Sequence, residues 1–188
     1  MTQTNGNLYH HFQKQFDRAG DKPALVLADK SSITYADLAR ESARLARYLT
    51  DLGIQIGDRV SVQVAKSPRA LYLYLACLRA GFVFHPLNTG YKDAELDYFL
   101  SDAEPALMVC DGSDQQRMAA LCQKHSVGHL LTLNADGSGS LPDGAEHAAA
   151  EFGVIERTDH DLAALLYSSG TTGVPKGIML SHLNLRSN

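Results

Sequence analysis

Residues Arg59 to Leu87 read RVSVQVAKSPRALYLYLACLRAGFVFHPL. The β-rich run RVSVQVA (59–65) follows the turn residues Gly57 and Asp58. Ser67 then offers an N-cap, Pro68 suits the first helical position, and Gly81 stands just past the end of the helix they bound. That helix is apolar nearly all round, which predicts burial between a sheet and another layer. FVFHPL returns the chain to a strand. A strand, a helix of more than ten residues and a second strand form a βαβ crossover, so the two strands are expected to run parallel.

The same alternation extends in both directions. Upstream, Leu8, Phe12 and Phe16 recur every four residues after Asn7, a helix ended near Gly20. ALVLA (24–28) and SITY (32–35) read as short strands joined by the turn Asp29-Lys30-Ser31. Thr34 and Asp37 have capping-box spacing and open a helix with Leu38, Leu45, Leu49 and Leu52 on one face, closed by Gly53. Downstream, Asp93 is expected to cap a helix to about Ala103. ALMVC (106–110) reads as a fully buried strand, a helix runs from about Ser113 to His125, and HLLTL (129–133) is the next strand. From Asn134 to Gly144 the composition turns to Asn, Asp, Gly, Ser and Pro, a surface loop or a link between subdomains. The fold class is therefore α/β, a mostly parallel sheet flanked by helices.

Composition narrows the function. The 188 residues carry 17 basic and 21 acidic side chains, with the signs interspersed. No basic stripe marks a nucleic-acid partner. The apolar runs fall far short of the ~20 residues of a membrane span, and the first residues lack a secretory pattern. A cytoplasmic location is expected. Cys77, Cys110 and Cys122 show no CxxC spacing and read as reduced core thiols, and His125 and His129 do not make a zinc face.

The chemistry concentrates near the end. The buried strand DLAALLY (161–167) runs into Ser168-Ser169-Gly170-Thr171-Thr172-Gly173-Val174-Pro175-Lys176-Gly177, and IMLS (178–181) reads as a returning strand. Ser181 then caps a helix that begins HLNL. Eight of the ten residues from 168 to 177 are Ser, Thr, Gly or Lys, a set suited to polyphosphate. Glycines let backbone N–H groups converge on an anion. The hydroxyls of Ser168, Ser169, Thr171 and Thr172 can donate to phosphate oxygens, and Lys176 adds a compact charge. This is not a Walker A loop, because Pro175 and Gly177 flank the lysine and a strand, not a helix, follows. The alternative is a plain Gly/Ser/Thr hairpin turn. Such turns rarely run to ten residues with a lysine set among glycines. His182 reads as a structural helix-start residue, His85-Pro86 as turn geometry, and Tyr72 and Tyr74 as core. Asp93, Glu95 and Asp97 read as charges interacting with a helix dipole.

YSSGTTGVPKG followed by MLSHLNL closely resembles the signature loop of the adenylate-forming superfamily of acyl-CoA synthetases, peptide-synthetase adenylation domains and firefly-type luciferases. ITYADLA (33–39) and LRAGFVFHPLN (78–88) are similar to two earlier motifs of that family. LNTGYKDAELDYFLSDAEPALMVCD looks most like malonyl-CoA synthetases. Ser168 departs from the usual Thr but keeps the hydroxyl.

The resemblance implies the N-terminal part of the large domain of an adenylate-forming enzyme. It divides into an α/β subdomain (1–133), a connecting loop with a short helix (134–160), and a phosphate-binding hairpin with the start of the next helix (161–188). It implies a carboxylate, malonate by general likeness, activated with ATP and Mg2+ as an acyl-adenylate and passed to coenzyme A. Ser168, Ser169, Gly170, Thr171, Thr172, Gly173 and Lys176 would contact the β and γ phosphates, with Lys176 catalytic and Thr172 a candidate magnesium contact. Members of the family are several times longer. The adenine, acyl and CoA contacts are therefore expected beyond residue 188, and the piece alone is expected to be inactive. Another acyl- or aryl-CoA ligase, an adenylation domain, or a non-catalytic nucleotide-binding module are the alternatives.

Overall fold

The computed structural model describes residues 5–168 and 175–187. In chain order it places α1 (Leu8–Ala19), β1 (Pro23–Val26), β2 (Ser32–Thr34), α2 (Tyr35–Asp51), β3 (Arg59–Gln63), α3 (Pro68–Ala80), β4 (Val83–Pro86) and α4 (Asp93–Ala103). There follow β5 (Leu107–Cys110), a 3₁₀ turn (Gly112–Asp114), α5 (Gln115–Lys124), β6 (His129–Thr132), α6 (Ser140–Ala145), β7 (Leu162–Ser168), β8 (Lys176–Ser181) and α7 (His182–Arg186). β1 and β2 pair antiparallel as a separate ribbon. The other strands form one sheet in the order β6-β5-β3-β4-β7-β8, parallel except for β8. The mostly parallel α/β architecture read from the alternation is what the chain adopts.

Local chemistry sets the boundaries. Asn7 caps α1 by accepting from the Tyr9 N–H, while its amide donates to the Leu78 and Ile155 carbonyls at 2.8 and 2.9 Å. Thr34 and Asp37 form the reciprocal capping box, Oγ1 accepting from the Asp37 N–H at 3.0 Å and Asp37 Oδ2 from the Thr34 N–H at 2.9 Å. Ser67 Oγ caps α3, and Gly81 ends it in the left-handed region at φ 73°. One boundary needs correction. Lys92, not Asp93, precedes α4 as the cap position, and Asp93 is already helical. The capping there comes from Glu95, whose carboxylate accepts from the Lys92 N–H at 2.9 Å.

The layers follow from strand order. α3 leads from β3 to its neighbour β4, whereas α4 leads from β4 back past β3 to β5. Crossovers of one hand then require α3 and α4 to cover opposite faces, and they do. Leu73, Ala76, Cys77 and Ala80 of α3 pack with Leu45, Ala46 and Leu49 of α2 on Val60, Val62, Leu107 and Val109. Leu96, Phe99 and Leu100 of α4 and Met118 and Cys122 of α5 pack on Met108 and Cys110. Alternate residues of β5 thus enter different cores, which is why ALMVC reads as an unbroken apolar run. As expected from its apolar sequence, α3 is buried between the sheet and the α1–α2 layer. Arg79 is buried within that layer with its guanidinium donating to the Ala39 and Phe152 carbonyls at 2.8 Å and to the Tyr9 hydroxyl at 3.0 Å. The three cysteines are free and buried. No described helix is long and apolar enough to cross a membrane.

Candidate functional site

In an open parallel sheet, ligands bind outside the carboxyl ends of the strands, where the connection order reverses. Here the reversal lies at β3 and β4, and β7, the next strand over, ends at the same edge with Ser168. β8 returns antiparallel with Ser168 paired to Lys176, Tyr167 to Gly177 and Leu166 to Ile178. Ala163, Ala164 and Leu165 anchor β7 in the core, while β8 is an edge strand with Lys176 to Met179 exposed. Two of the sequence candidates, Ser168 and Lys176, therefore occupy opposed positions at the carboxyl edge, both open to solvent. Ser169, Gly170, Thr171, Thr172 and Gly173 lie outside the described residues. A hydroxyl and an ammonium at exposed strand ends can receive an anion without first breaking a buried bond.

The strand ends rest on α4, which the sequence reading did not connect with them. The Tyr98 hydroxyl donates to the Pro175 carbonyl at 3.0 Å, and the Tyr167 hydroxyl donates to Asp102 Oδ2 at 2.5 Å. Phe99 packs on Tyr167 with centroids 4.5 Å apart. Burial first, and the Asp102 carboxylate second, push the Tyr167 phenol well above its ordinary pKa, so it remains a donor. The only available signal was the i, i+4 spacing of Tyr98 and Asp102, which share a helix face. Asp97 is not simply a dipole charge. It pairs with Lys124 at 2.6 Å and His125 at 2.7 Å.

Two histidines flank the same strands. His85 is fully buried in β4, its Nδ1 bonded to Ser61 Oγ at 2.8 Å and its ring 5.4 Å from that of Tyr167, so it fills the sheet instead of shaping a turn. His182 opens α7 and is also fully buried, and its Nδ1 accepts the Leu8 N–H at 3.1 Å. That bond joins α7 to α1, as does Arg186, which bonds Asp159 through both Nη atoms at 3.0 Å and contacts His11. His182 is structural, as its sequence position suggested.

Burial lowers both rings to a pKa of about 4, with the Arg157 charge adding to the effect at His182. The unfolded chain takes up these protons near pH 6.5. Unfolding therefore binds protons between those values, and stability is expected to fall as pH drops from 6.5 toward about 4. Urea midpoints should be flat between about pH 7 and 8 and slope downward below 6.5. His182→Asn, which keeps an acceptor for Leu8, should make that slope shallower. A midpoint independent of pH across this window would contradict the assignment of neutral rings.

The model of the AMP-binding enzyme family matches residues 12–188. The chain belongs to this family. It is thus a member of the adenylate-forming superfamily, as its signature loop suggested. Among solved AMP-binding enzymes, ATP-bound MatB from Rhodopseudomonas palustris superposes with a TM-score of 0.92 at 48% identity, over 98% of this chain and 36% of that one. A feruloyl-CoA synthase of an Amycolatopsis species is 37% identical over 158 residues, 84% of this chain and 30% of the relative. The AMB antimetabolite synthetase AmbB of Pseudomonas aeruginosa is 36% identical over 179 residues, 95% of this chain and 13% of the relative. The chain thus spans about a third of the first two of these AMP-binding relatives and far less of the third.

Proposed function

We propose that the whole protein is an ATP-dependent acyl-CoA ligase acting on a small carboxylate, malonate in the first instance. In this reading a carboxylate oxygen attacks the α-phosphorus of ATP, the bond to the bridging oxygen of pyrophosphate breaks, and the acyl-adenylate then yields its acyl group to the thiol of coenzyme A with release of AMP. The observation that carries it is the opposition of Ser168 and Lys176 at the carboxyl edge of a mostly parallel sheet, at the two ends of the Ser-, Thr- and Gly-rich sequence. Residues 1–133 form the α/β subdomain, 134–160 connect, and 161–188 carry the phosphate-binding hairpin and the start of the next helix.

The hydroxyls of Ser168, Ser169, Thr171 and Thr172 donate to β- and γ-phosphate oxygens. Gly170 and Gly173 let the backbone approach, and Lys176 neutralises the charge that grows on the departing pyrophosphate. Donors aimed at developing charge lower the barrier selectively, since they gain strength as the reaction proceeds. Among the described residues no three His, Cys, Asp or Glu side chains gather as a metal site. Thr172, the candidate magnesium contact, lies outside them.

Likeness to MatB at 48% identity supports the malonyl-CoA ligase reading, and LNTGYKDAELDYFL (87–100) adds to it. AmbB and other synthetases favour a second reading, an adenylation domain. Exchange of labelled pyrophosphate into ATP by the complete protein separates the two. Malonate should support exchange, and coenzyme A should then give a thioester. Exchange driven by an amino acid instead would select the second reading, and none with any carboxylate would refute both.

A further inference from the structure

We propose that α4 clamps both ends of the phosphate-binding loop and that Tyr98 and Tyr167 are positioning residues for the polyphosphate, an inference that rests on the reading of 168–177 as its binding loop. Tyr98 and Asp102 stand one helical turn apart on α4. Tyr98 holds the carbonyl of Pro175, the residue directly before Lys176. Asp102 holds the hydroxyl of Tyr167, the residue directly before Ser168. A single turn of helix thus grips the chain one residue ahead of Ser168 and one residue ahead of Lys176, across separations of 65 and 77 residues.

The grip is firm because α4 itself is fixed. Leu96, Phe99 and Leu100 are fully buried, and the rings of Tyr98, Phe99 and Tyr167 pack against one another, Phe99 lying closest to Tyr167. The carboxylate of Asp102 also bounds β8. A side-chain carbon added at Gly177 would lie 3.7 Å from its Oδ2 and 3.6 Å from the Tyr167 ring. β8 passes this close as an exposed edge strand, paired only to β7 among the described residues. Lateral support at Pro175 therefore comes from Tyr98. Lys176 has a flexible four-carbon stem, so the placement of the backbone just before it sets where the ammonium can reach. Pro175 has no N–H, which leaves its carbonyl as the group available for anchoring.

The test uses the complete enzyme and removes one oxygen at a time, Tyr98→Phe and Tyr167→Phe, keeping both rings and their packing. Losing one such hydrogen bond is expected to raise the apparent KM for ATP about fivefold, and the KM for pyrophosphate in the reverse direction by a similar factor. The KM for the carboxylate should stay within about twofold, because a loop-positioning role acts on the phosphates alone. Unchanged KM values for ATP and pyrophosphate would overturn the proposal, as would a rise shared equally by the carboxylate, which would mark a general loss of structure. If the wild-type enzyme shows no exchange, it is the functional reading that fails, not the clamp.

Discussion

Replacing Lys176 with alanine in the complete enzyme is expected to slow carboxylate-dependent ATP–pyrophosphate exchange by about a hundredfold, the scale of removing one preorganised donor from a developing charge. The residue opens β8 at the carboxyl edge, its backbone paired with Ser168 and its side chain exposed, so alanine removes no buried contact. The fold should survive, and the thermal midpoint should hardly move. Lys176→Arg should recover part of the rate, since the charge returns on a planar fork that cannot follow a moving phosphate as a point charge does. Steady-state exchange rates at saturating carboxylate measure the effect. A rate within twofold of wild type for the alanine variant would show that the backbone and hydroxyls suffice, and the role given to the ammonium would be wrong.

Gly139→Ala should produce the largest loss of stability among single-methyl changes. Gly139 adopts φ 131° and ψ 171°, a region essentially reserved for glycine. An added Cβ would also lie 2.4 Å from the carbonyl oxygen of Thr132, backbone that cannot swing away. The close approach exists because Thr132 and Ser140 bond reciprocally. Each N–H donates to the other's side-chain oxygen at 2.9 Å. This contact turns the chain from β6 into α6, which buries Leu141 and Ala145 in the core shared with α2 and α3. Alanine must break the exchange or strain the backbone, a cost of about 3 kcal/mol or more. Gly153→Ala is the matched control. Nothing lies within 4 Å of its Cβ position, and a change within about 0.5 kcal/mol is expected there. Urea unfolding of both variants checks this, and equal midpoints would refute it.

What the sequence revealed divides by range. The caps of α2 and α3 were legible because Thr34 with Asp37, and Ser67 with Pro68 and Gly81, act within a few residues of themselves. β5 was legible because both of its faces are covered. The cap of α4 was misread because Glu95 does the capping from inside the helix, so the residue at the cap position carries no signal. The stretch 134–144 was legible as a loop, but not the reciprocal Thr132–Ser140 bond that makes Gly139 obligatory. The buried place of His85 also escaped, since a strand of four residues does not announce which side chain faces a neighbouring serine. Of the site, the loop chemistry stood out by composition. Its support on Tyr98 and Asp102 depends on residues far apart in the chain, and no local pattern brings them together.

The three thiols fall in two compartments. Cys77 lies in the core between the sheet and α2, with Cys110 and Cys122 in the core beneath α4 and α5. Burial pushes Cys110 to about 12, Cys122 to about 11 and Cys77 higher still, so none offers a thiolate while its compartment stays shut. The molecule thus carries its own pair of reporters. The pace at which a thiol reagent modifies Cys77, set against its pace at the other two, is a readout of how often each side of the sheet breathes.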